Sequence, residues 1–415
     1  MPLSNSIAIT LLQRFGLFIS FLLASGFMAR ADLLDQLNDT LSIRDSKNHF
    51  QLQLSGLVDL EGYFIDQRPP GLINADNSFL FNPRLSIFLD AQFATHFYFF
   101  GEARLDRGFD PSDQGAQIRL DEYVLRYTPL SDSRINFQIG KFATVIGNWV
   151  PRHDSWQNPF INAPLPYENI TPVSDTEAPS SRQDFAGRRF ETDEQYERLP
   201  LIWGPNYTTG AAMLGTIDKL DYAFEIKNAA ISSRPHTWQP TETGWSDPTF
   251  SGRVGLRPNE SWSFGLSASI GPYMMPQARE TLPLGKNTDN YNQYLLGQDI
   301  SYAWRHLQIF AEIFEARFEV PTVGNADTLS YYIEGKYKVT TQLFAAARWN
   351  QQFYATVPAG GSQQPWGNDI WRVDAALGYR FTSYLQAKIQ YSFSHQDADL
   401  QQGEQLVAGQ FTIKF

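Results

Sequence analysis

Apolar and polar side chains alternate at every second position along most of this chain. In segment 50–64 the even positions are nearly all apolar, whereas the odd positions include Gln51, Asp59 and Glu61. The last eleven residues, QLVAGQFTIKF, repeat this alternation and end on Phe415. Side chains two residues apart lie on the same face of a β-strand. The pattern therefore predicts strands that have one apolar face and one polar face.

Segments with this period recur through the chain, and about sixteen of them can be recognised. They lie at 50–64, 84–93, 97–105, 117–128, 134–144, 207–216, 220–230, 249–257, 261–270, 294–304, 307–318, 329–338, 342–354, 370–381, 384–395 and 405–415. An even number of strands, joined alternately by short turns and long loops, is typical of a barrel that spans a membrane. We predict an all-β fold, a transmembrane antiparallel β-barrel of about 16 strands within residues 49–415.

The predicted connections alternate in length, so that short turns lie at one end of the barrel and long loops at the other. The long connections are expected at 65–78, 106–116, 145–206, 231–248, 271–293, 319–328, 355–369 and 396–404. The last strand is expected to pair with the first, because an open sheet edge in lipid would leave backbone groups without hydrogen bonds.

The aromatic residues favour this barrel over a soluble β-sandwich or a β-propeller. The chain has 31 Phe, 19 Tyr and 10 Trp, although hydrophobic residues make up only 42 % of it. A sandwich would fill its inner face with aliphatic side chains, and no repeat of about 45 residues indicates propeller blades. Rings on the apolar strand faces, such as Trp304, Trp349 and Trp371, are expected to form girdles at the membrane surfaces.

The N-terminus has the order of a secretory signal peptide. Arg14 precedes an apolar run at 15–28, and Ala-Arg-Ala follows at 29–31. A membrane-anchoring helix is the alternative, but it would need about 20 apolar residues. We predict a signal peptide at 1–31 and a short periplasmic segment at 32–48, in which a leucine pattern allows a short helix or a coiled coil.

Composition and charge exclude several classes of function. The formal net charge of −11 argues against nucleic acid as a partner, because a phosphate-binding surface needs a basic excess. The chain has no cysteine, so disulfides and thiolate metal sites are impossible. We expect no cofactor and no metal. The predicted inward faces carry both acidic and basic side chains, and sixteen strands leave an interior too wide for side chains to fill.

The chain end and one internal stretch resemble those of outer-membrane porins. The ending GQFTIKF looks like the assembly signal of outer-membrane barrels, carried here by Phe411, Ile413 and Phe415. The stretch RLDEYVLRYTPLSDSRINFQIGKFATVIGNW, at 119–149, is similar to a strand and loop of phosphate-selective-type porins. The resemblance implies location in the outer membrane of Gram-negative bacteria, contact with its lipids and the barrel-assembly machinery, and a homotrimer. It also implies a channel for ions and small hydrophilic solutes.

The long connection 145–206 is the candidate constriction of that channel. In porins the loop after the fifth strand folds into the lumen, and this connection holds the same place in the order of strands. An external flap or an oligomer contact is the alternative. The residues expected to line the constriction are Arg152, His153, Asp154 and Glu168 on the loop, and Arg253, Arg257, Arg348, Arg372, Arg380 and Lys388 on the wall. A strongly anion-selective pore would need a one-sided set of basic residues, so mixed charge departs from the phosphate-selective pattern.

Two other functions remain open at this stage. A structural or adhesin barrel would have a plugged lumen. An outer-membrane hydrolase would need a base within hydrogen-bond reach of its nucleophile. The chain has 6 His, and only the Arg152-His153-Asp154 stretch invites a catalytic or metal interpretation. Its spacing matches no metal-ligand pattern, so we expect no enzymatic activity and no catalytic residues.

Overall fold

The computed structural model describes residues 41–45, 50–66, 71–72, 78–107, 117–191, 198–235, 245–398 and 403–415. The predicted signal peptide at 1–31, and all of segment 32–48 except 41–45, lie outside the described residues.

The described chain is built mainly from nineteen β-strands. They are β1 (Ser42–Arg44), β2 (Phe50–Ile65), β3 (Phe79–Phe93), β4 (Phe97–Asp106), β5 (Gln117–Tyr127), β6 (Asn136–Phe142), β7 (Thr208–Ile217), β8 (Leu220–Lys227), β9 (Thr249–Leu256), β10 (Trp262–Pro272), β11 (Asn292–Trp304), β12 (Leu307–Val320), β13 (Gly324–Lys338), β14 (Leu343–Tyr354), β15 (Thr356–Ala359), β16 (Ser362–Pro365), β17 (Ile370–Arg380), β18 (Leu385–Gln396) and β19 (Gly403–Lys414). Two short helices, α1 (Leu165–Glu168) and α2 (Arg182–Gly187), lie between β6 and β7, and 3₁₀ turns occupy Val150–Arg152, Arg188–Phe190, Pro276–Glu280 and Thr288–Asn290.

Sixteen of the strands form a closed antiparallel barrel, which confirms the predicted fold. Strands β2–β14 and β17–β19 each pair with two neighbours, and β19 pairs with β2 through contacts such as Gly409 with Gly62. The short strand β1 pairs with the start of β2, on the edge that β19 leaves uncovered. Among the described helices, none is long and apolar enough to cross a membrane.

The prediction of a long connection at 319–328 is wrong. Strand β12 runs to Val320 and β13 starts at Gly324, so only residues 321–323 lie between them. Thr322 has a φ of 63° and Gly324 a φ of 104°. These left-handed conformations let the chain reverse within a tight turn, and glycine adopts them without strain. The predicted loop 355–369 also contains a small hairpin, formed by β15 and β16.

The strand faces follow the predicted alternation, with a change of phase in β5. The register of β4 and β5 shifts between Glu102 and Ala103, so Asp121 is an extra residue in β5. A bulge of this kind turns the following side chains to the opposite face. Arg119 and Asp121 are therefore buried on the inside, whereas strict alternation from Glu122 would have turned them outward.

The outer face of the barrel is a broad apolar surface. Large hydrophobic side chains project from it, including Phe81, Ile118, Ile139, Phe224, Leu266, Trp304, Ile333, Tyr337, Trp349, Leu377 and Tyr391. The inward positions are polar, and buried Asp59, Glu61 and Asp374 are examples. An apolar outside combined with a polar inside is the arrangement of a barrel that faces hydrocarbon.

The C-terminal residue packs on a glycine of the first barrel strand. The backbone of Phe415 exchanges two hydrogen bonds with Gly56, at 2.9 and 3.0 Å. A Cβ atom on Gly56 would lie 2.4 Å from Cζ of the Phe415 ring and 2.8 Å from the carbonyl oxygen of Ser86. Only glycine leaves room for the ring at this position.

We therefore expect Gly56→Ala to destabilise the closure of the barrel by about 1–3 kcal/mol, the usual cost of overpacking. The measurement is the fraction of protein with the heat-modifiable gel mobility of folded barrels. Gly62→Ala on the same strand is the control, because its Cβ would meet only the Phe79 ring, at 3.6 Å. Equal folded fractions for the two variants would contradict the role given to Gly56.

Candidate functional site

The connection between β6 and β7, residues 143–207, contacts the inward face of the barrel wall. Asp154 accepts hydrogen bonds from the backbone N–H groups of Trp156 and Gln157, both at 2.8 Å, which fixes a turn at the start of the connection. Pro166 lies in the first turn of α1, where its missing N–H costs no hydrogen bond. Ser181 caps α2 by accepting from the N–H of Asp184.

Glu312 on β12 holds the beginning of this connection. Its carboxylate accepts hydrogen bonds from the backbone N–H groups of Asn148 and Trp149, and from the hydroxyl of Tyr167 at 2.8 Å. Glu312 is buried, as are Trp149 and Tyr167. One wall carboxylate thus satisfies three donors that would otherwise be buried without a partner.

Arg152 extends this contact to the next strand. Its guanidinium pairs with Glu334 on β13 and donates to the hydroxyl of Tyr332 at 3.0 Å. It also lies over the ring of Phe310, 3.8 Å from the ring centroid. Burial makes such a pair dependent on both partners, because removing one would leave an uncompensated charge.

Arg348 and Arg372 bind the middle of the connection. Arg348 donates to Asp374 at 2.8 Å and to the side-chain oxygen of Asn162 at 2.7 Å. Arg372 pairs with Glu168 and donates to the backbone oxygen of Ala163 at 2.5 Å. Burial raises the pKa of the Glu168 carboxyl, and the Arg372 guanidinium opposes this shift.

Lys388 on β18 binds the backbone of the same segment. Its ammonium donates to the carbonyl oxygens of Ser155, Asn158 and Phe160, at 2.8, 3.0 and 3.2 Å. Arg380 on β17 donates to the carbonyl oxygen of Trp156 at 3.0 Å and lies over its ring. Backbone carbonyls therefore accept all three N–H donors of the Lys388 ammonium.

These contacts change the interpretation of the predicted basic wall. Arg348, Arg372 and Lys388 were expected to line the constriction of the channel, but they are buried and bind segment 152–168. Arg253 lies elsewhere, between Asp221 and Asp299 at 2.8 and 2.7 Å. Arg257 is exposed and pairs with Asp221 at 3.0 Å. The prediction and the structure differ because the carboxylates and backbone carbonyls that bind these basic side chains come from the connection and from other strands.

The side chains of the Arg152-His153-Asp154 stretch point to different parts of the structure. The three side chains have separate partners: Glu334 for Arg152, the hydroxyl of Tyr207 for His153, and the backbone of the following turn for Asp154. His153 Nδ1 lies 2.6 Å from the carbonyl oxygen of Val150, so Nδ1 carries the proton and Nε2 accepts from Tyr207. Burial lowers the pKa of His153 and keeps the ring neutral.

Apolar contacts seal the connection against one side of the barrel. Ile146, Trp149, Tyr167 and Ile202 pack with the inward Phe314. A larger cluster lies toward the long-loop end; it contains Val173, Phe185, Leu199, Trp203, Tyr273, Met274, Phe318, Tyr354 and Trp366. Val173, Phe185, Ala186 and Leu199 of the connection therefore belong to this outer cluster, whereas residues of 149–168 line a polar cavity.

Asp175 gives this outer cluster a pH dependence. Burial raises the pKa of its carboxyl to about 6, although Arg234 opposes the shift. The folded state therefore binds this proton more tightly than the unfolded state does. The resulting stabilisation is fully present below a pH of about 4, the usual pKa of Asp, and is lost as the pH rises to about 6.

We expect Asp175→Asn to stabilise the outer cluster at pH 7 by about 2–3 kcal/mol, because a shift of one pKa unit corresponds to 1.36 kcal/mol. The measurement is the rate of proteolysis within 143–207 between pH 4 and pH 7. The original protein should be cleaved faster as the pH rises, and the variant should change less. A parallel pH response in both would exclude Asp175 as the cause.

Polar interior space lies along β2–β5. A cavity of about 340 Å³ separates this part of the wall from segment 149–168. The segment contributes His153, Asp154 and Phe160 to its lining. The wall contributes carboxylates and arginines, among which are Asp59, Glu61, Arg84, Glu102, Arg104, Asp106, Arg119 and Glu122. Charged groups and a volume of this size are compatible with water.

A second cavity, of about 600 Å³, lies at the short-turn end of the same wall. Gln51, Gln53, Asp90, Tyr98 and Lys414 line it. Both cavities lie along β2 and β3, one at the short-turn end and the other beside segment 149–168.

Sequence reasoning missed two classes of residue at this site. Arg119 and Asp121 were not recognised as inward, because the bulge in β5 shifts the alternation. The neighbouring acidic pair Asp121-Glu122 was the available signal, since two adjacent charges cannot both face inward in a regular strand. Glu312 and Glu334 lie at inward positions of the alternation, but nothing in the sequence identified them as partners of the connection.

The comparisons with known proteins concern the fold. No protein-family model matches the chain, and no curated protein matches its sequence at a significant level. The structure is similar to the anion-selective porin from Comamonas acidovorans, with 10 % identity and a TM-score of 0.54 over 88 % of this chain and 100 % of that one. It is similar to the outer-membrane channel DcaP of Acinetobacter baumannii, with 9 % identity and a TM-score of 0.55 over 90 % and 99 % of the two chains.

A third similar structure is OmpF of Salmonella typhi, in complex with daunomycin. It has 11 % identity and a TM-score of 0.56, and the match covers 90 % of this chain and 100 % of that one. At these identities the likeness concerns architecture. The chain is a closed 16-stranded antiparallel β-barrel with the fold of outer-membrane porins.

Proposed function

We propose that this protein is an outer-membrane porin, a channel for passive diffusion of ions and small hydrophilic solutes. The observation that carries the proposal is the polar space along β2–β5, where cavities of about 340 and 600 Å³ lie inside a barrel with an apolar outer face. Segment 149–168 narrows this space and acts as the constriction. Solutes pass between this segment and the wall.

The proposal includes the surroundings of the barrel. The apolar outer face contacts outer-membrane lipids, and β19 with Phe411, Ile413 and Phe415 presents the signal for the barrel-assembly machinery. Phe411 and Ile413 lie at alternate positions of the strand that closes the barrel, and Phe415 follows that strand and packs on Gly56. Export by a cleaved signal peptide and assembly into a homotrimer remain predictions.

A plugged structural barrel is the second candidate, and one observation favours it. Two apolar clusters and buried ion pairs hold described residues of the connection against β12, β13, β14 and β17, inside the barrel. The two candidates differ in whether the remaining space along β2–β5 is continuous.

Single-channel recording in planar bilayers separates these candidates. The purified mature protein should produce discrete, long-lived conducting steps in about 1 M KCl, a salt concentration that screens all but short-range charge effects. Folded protein that inserts without conductance would support the plugged barrel instead. Insertion is verified independently by heat-modifiable mobility.

We also propose that the protein has no enzymatic activity. The positions of the described histidines support this. His153 is held by Val150 and Tyr207, His96 and His306 lie in short turns, and His395 lies on β18 beside the Trp371 ring. Hydrolysis of lipid or peptide substrates by the folded barrel, lost on His153→Gln, would contradict it.

A further inference from the structure

We infer that the passage selects cations over anions, and that the side-chain oxygens of Asn82 and Gln410 are its coordinating groups. This inference rests on the proposed channel function and names the class of solute that the channel prefers. It begins with the charges on β2–β5. Six carboxylates line the cavity of about 340 Å³ or pair with the three arginines that line it; they are Asp59, Glu61, Glu102, Asp106, Asp121 and Glu122, with Arg84, Arg104 and Arg119.

Each of these arginines is bound to two carboxylates. Arg84 lies 3.2 Å from Asp59 and 2.6 Å from Glu61. Arg104 lies 2.8 Å from Glu102 and 3.2 Å from Asp121.

The third arginine repeats this arrangement. Arg119 lies 3.1 Å from Asp106 and 3.2 Å from Asp121. The positive charges of the wall are thus engaged by its own carboxylates, and an entering anion would have to compete with them. Glu122, which lines the same cavity, adds a sixth carboxylate.

The other cations near the passage do not reverse this balance. Lys141 is buried and donates to the carbonyl oxygen of Leu120 at 2.8 Å. Lys388 is buried beneath segment 149–168, whose Asp154 lines the cavity. Arg372 is paired with Glu168. The charged side chains that line the two cavities are four cations, Arg84, Arg104, Arg119 and Lys414, and eight carboxylates, Asp59, Glu61, Asp90, Glu102, Asp106, Glu122, Asp154 and Glu168, so the carboxylates are in excess.

A second observation, independent of net charge, points to a ligand that donates hydrogen bonds. Asn82 and Gln410 line the cavity and are 7 % and 3 % exposed. Among the described residues, the Oδ1 atom of Asn82 and the Oε1 atom of Gln410 have no hydrogen-bond partner. Two buried acceptors without donors are costly unless an entering species or water supplies the donors.

Glu61 fixes the direction of both amides. Its carboxylate accepts from Gln410 Nε2 at 2.5 Å and from Asn82 Nδ2 at 3.5 Å. Rotating either amide by 180° would place its oxygen against this carboxylate, so the amide oxygens stay directed away from Glu61. Tyr63 and Arg84 occupy the remaining acceptor positions of Glu61.

Excess carboxylates and oriented carbonyl oxygens together favour cations. Oxygen dipoles replace part of the hydration shell of a small cation, and a primary ammonium supplies three N–H donors. A chloride ion would meet the same oxygens with repulsion. Potassium and small primary ammonium ions are therefore the preferred solutes.

The test is the reversal potential of single channels in a KCl gradient across a planar bilayer. We expect the sign that corresponds to preferred passage of K⁺. A conducting channel with zero or chloride-directed reversal potential overturns the inference and leaves the proposed channel intact. A folded, inserted protein without conductance overturns the proposed function and, with it, the inference.

Charge-neutral variants test the residues. Glu122→Gln combined with Asp154→Asn should shift the reversal potential toward zero. Each amide keeps an acceptor oxygen for the backbone N–H groups that the carboxylate binds, so the barrel should still fold. Asp218→Asn, in the short turn between β7 and β8, is the matched control and should leave the reversal potential unchanged. An equal shift in the control overturns the assignment to the passage.

The amide oxygens are tested with two organic cations, in the unmodified channel and in a variant without these oxygens. Methylammonium has N–H donors and tetramethylammonium has none. Under bi-ionic conditions against K⁺, Asn82→Leu combined with Gln410→Leu should lower the relative permeability of methylammonium more than that of tetramethylammonium. An equal reduction for both ions excludes Asn82 and Gln410 as coordinating groups.

Discussion

Lys388→Met is expected to increase single-channel conductance and to make residues 152–168 accessible to protease. The ammonium of Lys388 is buried and donates to three backbone carbonyls, those of Ser155, Asn158 and Phe160. Hydrogen bonds that involve a charged group contribute about 1.5–3 kcal/mol each. Methionine retains the length of the side chain but removes all three donors.

The consequence should be local, because the barrel strands pair through their own backbone groups. We expect normal heat-modifiable mobility, larger conducting steps and new cleavage within 152–168. Lys338→Met is the matched control, since Lys338 is exposed at the end of β13. Conductance and cleavage like those of the control would show that Lys388 does not hold the segment in place.

The second large effect is expected for Glu312→Ala. This change leaves the N–H groups of Asn148 and Trp149, and the hydroxyl of Tyr167, without their shared acceptor. Each buried donor that loses its partner costs about 1–3 kcal/mol, so the beginning of the connection should detach from β12. Glu312→Gln retains an acceptor oxygen and should have a smaller effect.

Conductance noise and protease cleavage near 148–152 are the measurements for this variant. Glu315→Ala is the control, because Glu315 belongs to the same strand and is exposed. If Glu312→Ala and Glu315→Ala behave alike, the carboxylate is not what secures the connection. If Glu312→Ala alone fails to fold, the Gln variant still separates the loss of charge from the loss of the acceptor.

The barrel was predictable because its physical cause is local. A strand between lipid and water must alternate its side chains, so each strand carries its own signal along the sequence. The signal failed where a local conformation departs from the ideal strand. Asp121 is an inserted residue that changes the phase of β5, and the reversal at 321–323 depends on left-handed residues that the sequence marks only weakly.

The site was predictable only in part, because its contacts connect distant segments. The sequence showed that Arg348 and Lys388 point inward, but their partners Asn162 and Phe160 lie more than 180 residues earlier in the chain. Period-2 reasoning assigns a face to a residue and says nothing about what covers that face. The sequence therefore does not distinguish the part of the wall that the connection covers, at β12–β18, from the part that lines the cavity, at β2–β5.

The contact between Lys388 and backbone carbonyls has a consequence for how this protein can change. A carbonyl oxygen is present whatever residue carries it, so Lys388 does not require particular side chains at 155, 158 or 160. Mutations can accumulate in this stretch while its path is kept. Evolution can thus alter the side chains of the constriction while Lys388 continues to hold its backbone. Engineered libraries that vary residues 155–161 should likewise keep the path of this segment.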